Sequence, residues 1–548
     1  MFVDATNTFL TMSSISDGAK GVSVNRLNRS PVFERNSFGK KWETKVPERT
    51  ANIIFLRPRS AKCGATAVTG SLRRVDKQQF SPDNPMREST TLQKSPRSAV
   101  LGRSCQRHLP SALRGHGAYV WDSEGKRYLD FSGSAAVNFI GHGVVQISAA
   151  IAEQMANLEF VHSSQFTTPV AEEYAQELLD FAGARFRGGR VYFTSGGSES
   201  IETALKLARQ YQVEIGQGKR FKILSRNQSY HGSTLGALAV SGNLRRRGIY
   251  LPMVREFVHV GAPYCYRCAY SCKDCAGLYA AEVERAIEIS EGEAAAFIFE
   301  PVSGATLGAA VPPEGYVRQV AEVCKRHGVL LIADEVMTGM GRTGLNFAVE
   351  HSGVIPDILV TAKGLSSGYA PLGAVIASAE VANAIASGSG SFIHGFTYNA
   401  HPVSLAAGRA VLRHLQNNNL VQAANSAQEE SVAAKLCRAL DTLRDSSVIG
   451  DVRGIGLLWG VEFVADKASK LPFAPELKFA ERVREAAASR GLLVYPVQGC
   501  VDGLSGDHVL IAPPAIITEE QILSAIQQFR AAVEEAAATN WTPRPQDS

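Results

Sequence analysis

Between residues 190 and 363 the apolar positions switch repeatedly between two periods. The run RVYFT (190–194) is short and rich in β-formers, and beyond the polar stretch SGGSES come Ile201, Ala204, Leu205 and Ala208. Their i, i+3, i+4, i+7 spacing lays them on one helical face, so the segment predicts strand, glycine turn, helix. The run AAFIFEP (295–301) is a second strand, ended by Pro301. Val317, Val320, Ala321 and Cys324 repeat the helical stripe, and His327-Gly328 leads from it into VLLIADE (329–335), a buried strand closed by two acids. DILVTAK (357–363) is the fourth strand and ends on a single lysine. Strands alternating with helices predict βα units and a parallel sheet, an α/β fold. In open sheets of this kind ligands bind outside the carboxyl ends of the strands, and all four runs place polar residues there.

Three of those ends carry candidate chemistry. Ser195-Gly196-Gly197-Ser198 opens a helix, where unpaired N–H groups and the positive end of the dipole attract an anion and glycine lets the backbone approach it. The plain alternative is a tight turn with Ser198 as an N-cap, and the stretch matches neither the Walker A nor the GxGxxG pattern. Asp334, closing an apolar run, is a carboxylate that folding would bury. It therefore needs a partner, either an arginine or the protonated nitrogen of a heteroaromatic ring. Lys363 stands alone between a strand and glycines; a solvated lysine is the ordinary reading and a reactive amine the other. Together, a phosphate grip, a pyridinium partner and a Schiff-base amine are what pyridoxal 5'-phosphate requires.

Composition narrows the class. With 548 residues, 45% apolar and 20% charged, the chain can bury a large core in more than one domain. No run of about 18 uninterrupted apolar residues occurs, so no membrane partner is expected. The formal charge of +5 is uneven: residues 1–96 hold 16 Lys/Arg against 8 Asp/Glu, and the remainder 41 against 44. The basic stretch is rich in Ser, Asn and Arg without periodicity, and residues 1–97 read as a disordered or targeting extension. Asp4 and Asp17 precede the first arginine, Arg26, which argues against a mitochondrial presequence and favours a cytoplasmic location. The basic residues are too scattered for a nucleic-acid patch. Nine cysteines, an odd number without a secretory signal, point to a reducing compartment. Cys265, Cys268, Cys272 and Cys275 form C-x2-C-x3-C-x2-C. The paired spacings suit zinc, but the gap between them is much shorter than in ordinary zinc modules, so a reduced surface loop is preferred to a metal site.

The order and wording of the longer motifs resemble the class III (omega) aminotransferases, of fold type I among pyridoxal-phosphate enzymes. The resemblance covers roughly residues 98–535. It is carried by YLDFSGSAAVNFIGHG (128–143), YFTSGGSESIETALKLAR (192–209), SYHGSTLGALAVSG (229–242), FEPVSG (299–304), LLIADEVMTGMGRTG (330–344), TAKGLSSGYAPLGA (361–374), HGFTYNAHPVSLAAG (394–408) and VRGIGLLWGVE (452–462). It implies a large domain (161–405) with a mostly parallel seven-stranded sheet. A smaller α+β domain would follow from residues 98–160 and 406–535, with a tail at 536–548. By position it implies Lys363 as Schiff-base lysine and as the base that moves a proton between Cα and C4′. Asp334 becomes the acid that keeps the pyridine nitrogen protonated. Gly197 and Ser198 match the phosphate loop, Tyr230 the aromatic that stacks on the cofactor, with His231 in support, and Val336 completes the cofactor set. Thr397 resembles the threonine that reaches the cofactor phosphate of a neighbouring subunit, which implies a homodimer with shared active sites. The implied activity is ping-pong transfer of an amino group from an amine or omega-amino acid to a 2-oxo acid such as pyruvate or 2-oxoglutarate.

Two positions depart from the pattern. Met337 stands where many members carry a glutamine that touches the cofactor's phenolic oxygen, and Ala305 where ornithine and 4-aminobutyrate aminotransferases carry a glutamate. In those relatives the glutamate pairs with the arginine matched here by Arg453. The expectation is that Arg453, left free, holds the acceptor's carboxylate through a bidentate contact. Decarboxylating transamination or intramolecular amino transfer remain alternatives on the same scaffold, because the pocket decides the fate of a shared carbanion. An inactive cofactor-binding relative is opposed by the joint presence of Lys363, Asp334, Tyr230 and Thr397.

Overall fold

Residues 99–103, 109–270 and 274–538 are described by the computed structural model. The predicted extension, residues 1–97, lies outside them, as do Cys272 and residues 539–548 of the predicted tail. The four predicted strands form as Arg190–Thr194, Ala294–Phe299, Leu330–Asp334 and Ile358–Thr361. They belong to one seven-stranded sheet in the spatial order Arg190–Thr194, Gly373–Ala377, Ile358–Thr361, Leu330–Asp334, Ala294–Phe299, Lys222–Arg226, His259–Val260. Only Gly373–Ala377 runs antiparallel to its neighbours; the other pairings are parallel.

Both faces of the sheet are covered, which is why its strands read as unbroken apolar runs rather than alternating ones. Every residue of Ala294–Phe299, Leu330–Asp334 and Ile358–Thr361 is buried. On one face the helix Gly197–Glu214 packs Ile201, Ala204, Leu207 and Ala208 against Ile332, Ile358, Val360 and Val375. On the other, Cys275–Glu288 and Tyr316–His327 pack Val283, Val320 and Cys324 against Phe297, Phe299 and Leu331. Each fully buried Leu, Ile or Phe contributes roughly 1.5–3 kcal/mol. The helix Tyr316–His327 stops at Gly328, whose left-handed φ of 63° lets its N–H cap the last turn.

The ladder registers bring the functional ends together. Asp334 pairs with Val360, so the acid and the segment leading to Lys363 emerge side by side. Two smaller sheets complete the described architecture. One joins Ala112–His116, Tyr119–Asp122, Arg127–Asp130 and Leu492–Leu493; the other joins Ile449–Ile455, Leu458–Phe463, Asp507–Ile511 and Tyr495–Gln498. A buried arginine ties distant segments to one another: the Arg342 guanidinium donates to the carbonyls of Pro513 (2.6 Å), Ala512 (3.0 Å) and Asn138 (3.1 Å).

An unusual turn follows the strand Arg127–Asp130. Gly133, Ser134, Ala135 and Ala136 all take left-handed φ values, 54°, 50°, 65° and 60°. The buried Asp130 holds the turn by accepting from the Ser134 N–H and the Ser132 and Ser134 hydroxyls, with the His142 ring 3.4 Å away. Among the described residues no helix is long and apolar enough to cross a membrane.

Candidate active site

The carboxyl ends of the central strands open on a cavity of about 470 Å³. It brings together Gly197, Ser198, Tyr230, His231, Asp334, Val336 and Lys363 from four separate segments of the chain. At one end lies the helix Gly197–Glu214, whose N-cap Gly196 offers no side-chain cap. Among the described residues no acceptor faces the N–H of Gly197 or Ser198, so the helix start presents open donors and the positive end of its dipole. The glycines here are steric requirements. A Cβ on Gly197 would stand 3.1 Å from Val336 Cγ1, and one on Gly232 would stand 2.6 Å from Ser198 Oγ. Ser198 Oγ also accepts from the Ser233 N–H at 3.0 Å, which fixes its position over the turn.

Asp334 is buried, and within the protein its partners are a histidine and a backbone N–H rather than an arginine. Nδ1–H of His231 donates to Oδ2 at 2.7 Å, and the Val336 N–H donates to Oδ1 at 3.1 Å. His231 is itself fixed by its backbone N–H to Ser241 Oγ, and its Nε2 has no partner among the described residues. His231 is thereby placed to orient the acid.

Lys363 follows the strand Ile358–Thr361 with a left-handed φ of 45°. Burial lowers its pKa from 10.5 to about 8; Asp334 and Glu300 oppose the drop, and Arg246 and Arg342 add to it. Sequence reasoning missed Glu300. It closes the run AAFIFEP just as Asp334 closes VLLIAD, so the same signal was present. Its Oε1 accepts from the Gly304 N–H at 3.0 Å, and its Oε2 has no partner among the described residues. Burial pushes its pKa up, with His231 opposing and Asp334 adding. Met337 lines the same cavity, and a Cβ on Gly304 would meet both its Sδ (2.7 Å) and Glu300 Oε1 (2.8 Å).

Two expected site residues lie elsewhere. Thr397 is exposed in the segment 391–400 and does not line this cavity. Arg453, on the strand Ile449–Ile455, does not line it either and is not free. Its guanidinium meets Glu462 at 2.9 Å and Asp451 at 3.0 Å, donates to the Leu307 carbonyl at 2.6 Å, and stacks 4.6 Å over Tyr264. The premise that Ala305 leaves Arg453 unpaired is therefore corrected, since the neighbouring strand supplies Glu462 instead. Of the cysteine cluster, Cys265 is exposed and Cys268 and Cys275 are half-buried, and Cys272 is not among the described residues. Burial and the neighbouring thiols push Cys275 up to about 11. Among the described residues no group of three His, Cys, Asp or Glu side chains is arranged to hold a metal ion.

A cavity with open amide donors at one end, a histidine-fixed carboxylate in its wall and a lysine of lowered basicity fits pyridoxal phosphate. Comparison with known proteins agrees. The sequence model for "Aminotransferase class-III" matches residues 103–533. An uncharacterized aminotransferase of Bacillus subtilis, YodT, is 42% identical over 427 residues, covering 76% of this chain and 94% of its own. A thermostable (S)-enantioselective omega-transaminase from Thermomicrobium roseum superposes with a TM-score of 0.73 at 38% identity, over 79% of this chain and 94% of its own. The omega transaminase of Pseudomonas jessenii, solved in complex with PMP, does so with a TM-score of 0.72 at 31% identity, over 78% and 93%. The chain belongs to the class III aminotransferases. It is a pyridoxal-phosphate enzyme of fold type I.

Proposed function

We propose that the enzyme moves an amino group from an amine or omega-amino acid to a 2-oxo acid, in two half-reactions at the cavity around Lys363. The observation that carries this reading is the convergence of Lys363, Asp334 and the Gly196–Ser198 turn on one cavity, with the lysine's basicity lowered. When bound, pyridoxal phosphate supplies an electron sink for negative charge developing at the substrate's α-carbon.

The chain's own residues do the remaining work. The N–H groups of Gly197 and Ser198 would hold the cofactor's phosphate. Asp334, fixed by His231 and the Val336 N–H, would hold the ring nitrogen and keep it protonated. Tyr230 and Val336 line the cavity and would keep the cofactor ring in place. Lys363 Nζ takes the proton from the substrate's α-carbon and returns it. With its pKa at about 8, roughly one lysine in five is neutral at pH 7.4, against about one in a thousand for an ordinary lysine.

A homodimer with shared sites accords with the position of Thr397, exposed and away from its own cavity. Exposed Ile393, Leu235 and Met253 line a second cavity of about 720 Å³ beside that segment, an apolar surface suited to a second copy. The test is the visible absorption of protein loaded with cofactor. An omega-amine should bleach the band and pyruvate or 2-oxoglutarate should restore it, with Lys363→Ala showing neither change. A band that no amine alters would refute the reading. Sedimentation velocity should give twice the chain mass.

A further inference from the structure

Three consecutive arginines, Arg245, Arg246 and Arg247, occupy the short helix Leu244–Arg247. Two are committed. Arg245 donates to Gln498 Oε1 at 2.8 Å, and the buried Arg247 donates to the Ser241 carbonyl at 2.9 Å and reaches the His259 ring at 3.0 Å. Arg246 is half-buried, and among the described residues no carboxylate or carbonyl accepts from its guanidinium. Its Cζ lies 4.4 Å from the centre of the Tyr230 ring. Stacking of this kind fixes a guanidinium in orientation while leaving its in-plane N–H fork open to an acceptor.

Tyr230 is a wall of the cavity that holds Lys363, and Arg246, which does not itself line that cavity, stands against this wall residue. The charge of Arg246 is felt by both Lys363 and His508, where it adds to the burial that lowers each pKa. The acids Asp334 and Glu300 also line the cavity, and a carboxylate substrate needs a cation to enter beside them. Arg453, the residue expected to supply it, is already saturated by Glu462, Asp451 and the Leu307 carbonyl. Using it would break a buried ion pair.

We propose that the Arg246 guanidinium, stacked on Tyr230, receives the carboxylate of the 2-oxo acid acceptor and of the amino acid formed from it. The assignment rests on the aminotransferase reading above. It makes Arg246 a specificity-determining residue, with carboxylate-free amines and aldehydes using the cavity without its help.

The experiment compares wild type, Arg246→Gln, Arg246→Lys and Arg453→Gln, each loaded with cofactor. In single turnovers of the aminated enzyme, Arg246→Gln should raise the apparent Kd for pyruvate or 2-oxoglutarate by roughly 10- to 100-fold. Arg246→Lys should fall between, because it keeps the charge but loses the fork. The Kd for an aldehyde acceptor and the affinity for pyridoxal phosphate should not move. An unchanged acceptor Kd in Arg246→Gln, or a rise confined to Arg453→Gln, overturns the assignment. A loss of cofactor affinity in Arg246→Gln overturns it as well and places the arginine at the phosphate. Calorimetric binding of unreactive propionate gives the second readout, expected to weaken by a similar factor in Arg246→Gln. Should wild type transfer no amino group, the proposed function fails, and propionate binding still decides whether Arg246 holds a carboxylate.

Discussion

Replacing Lys363 by methionine should make the cofactor-free protein more stable near neutral pH, although it destroys the reacting amine. Burial lowers the folded-state pKa from 10.5 to about 8. At about 1.36 kcal/mol per pKa unit, holding the amine charged in the fold costs roughly 3 kcal/mol. The sign follows from linkage. Below pH 8 both folded and unfolded chains carry the proton and the full penalty applies. Between about pH 8 and 10.5 only the unfolded chain keeps it, so wild-type stability climbs with pH; above 10.5 neither does and the penalty is gone. Methionine has a similar length and no charge, so it fills the space at little packing cost. Urea unfolding of stripped protein, wild type against Lys363→Met at equal concentration, should show a gain of roughly 2–3 kcal/mol at pH 7 that shrinks above about pH 8 and closes only above about pH 10.5. A variant no more stable than wild type at pH 7, or a gain independent of pH, would refute the argument that burial sets the lysine's basicity.

Other outcomes follow from the same geometry. Asp334→Asn keeps the shape but removes the charge that His231 orients, and kcat/KM for amino transfer should fall by about 100-fold or more while Kd for the cofactor changes less. Arg342→Met strands the carbonyls of Pro513, Ala512 and Asn138, and should cost roughly 3–5 kcal/mol, read as a lowered Tm with the cofactor spectrum intact in the protein that remains folded.

Local signals made the sheet legible. Each predicted run became a strand because full burial on both faces demands unbroken apolar sequence, and the glycine turn, Asp334 and Lys363 sit at the strand ends where the alternation placed them. The direction of Gly373–Ala377 was not legible, since GAVIA is equally apolar whichever way it runs. Pairings between distant residues were hidden too. His231 meets Asp334 across 103 positions, which no periodicity encodes. Arg453 finds Glu462 only because the strands Ile449–Ile455 and Leu458–Phe463 fold back in a register that sets Arg453 opposite Gly460 and Asp451 opposite Glu462. Arg246 was lost among three like residues, and only their separate partners distinguish it.

The left-handed turn at Gly133–Ala136 gives the pocket a tuning point remote from its chemistry. Non-glycine residues in that region of backbone space cost about 1–2 kcal/mol each, so the turn behaves as a loaded spring for which Asp130 is the latch. Val137, the next residue, lines the cavity. Weakening the latch, as in Asp130→Asn, is therefore expected to let the wall at Val137 relax and to shift KM among donors of different bulk, with cofactor affinity unchanged. A lineage could thus exchange one amino donor for another by editing a residue that touches neither cofactor nor substrate, leaving Lys363 and Asp334 as they are.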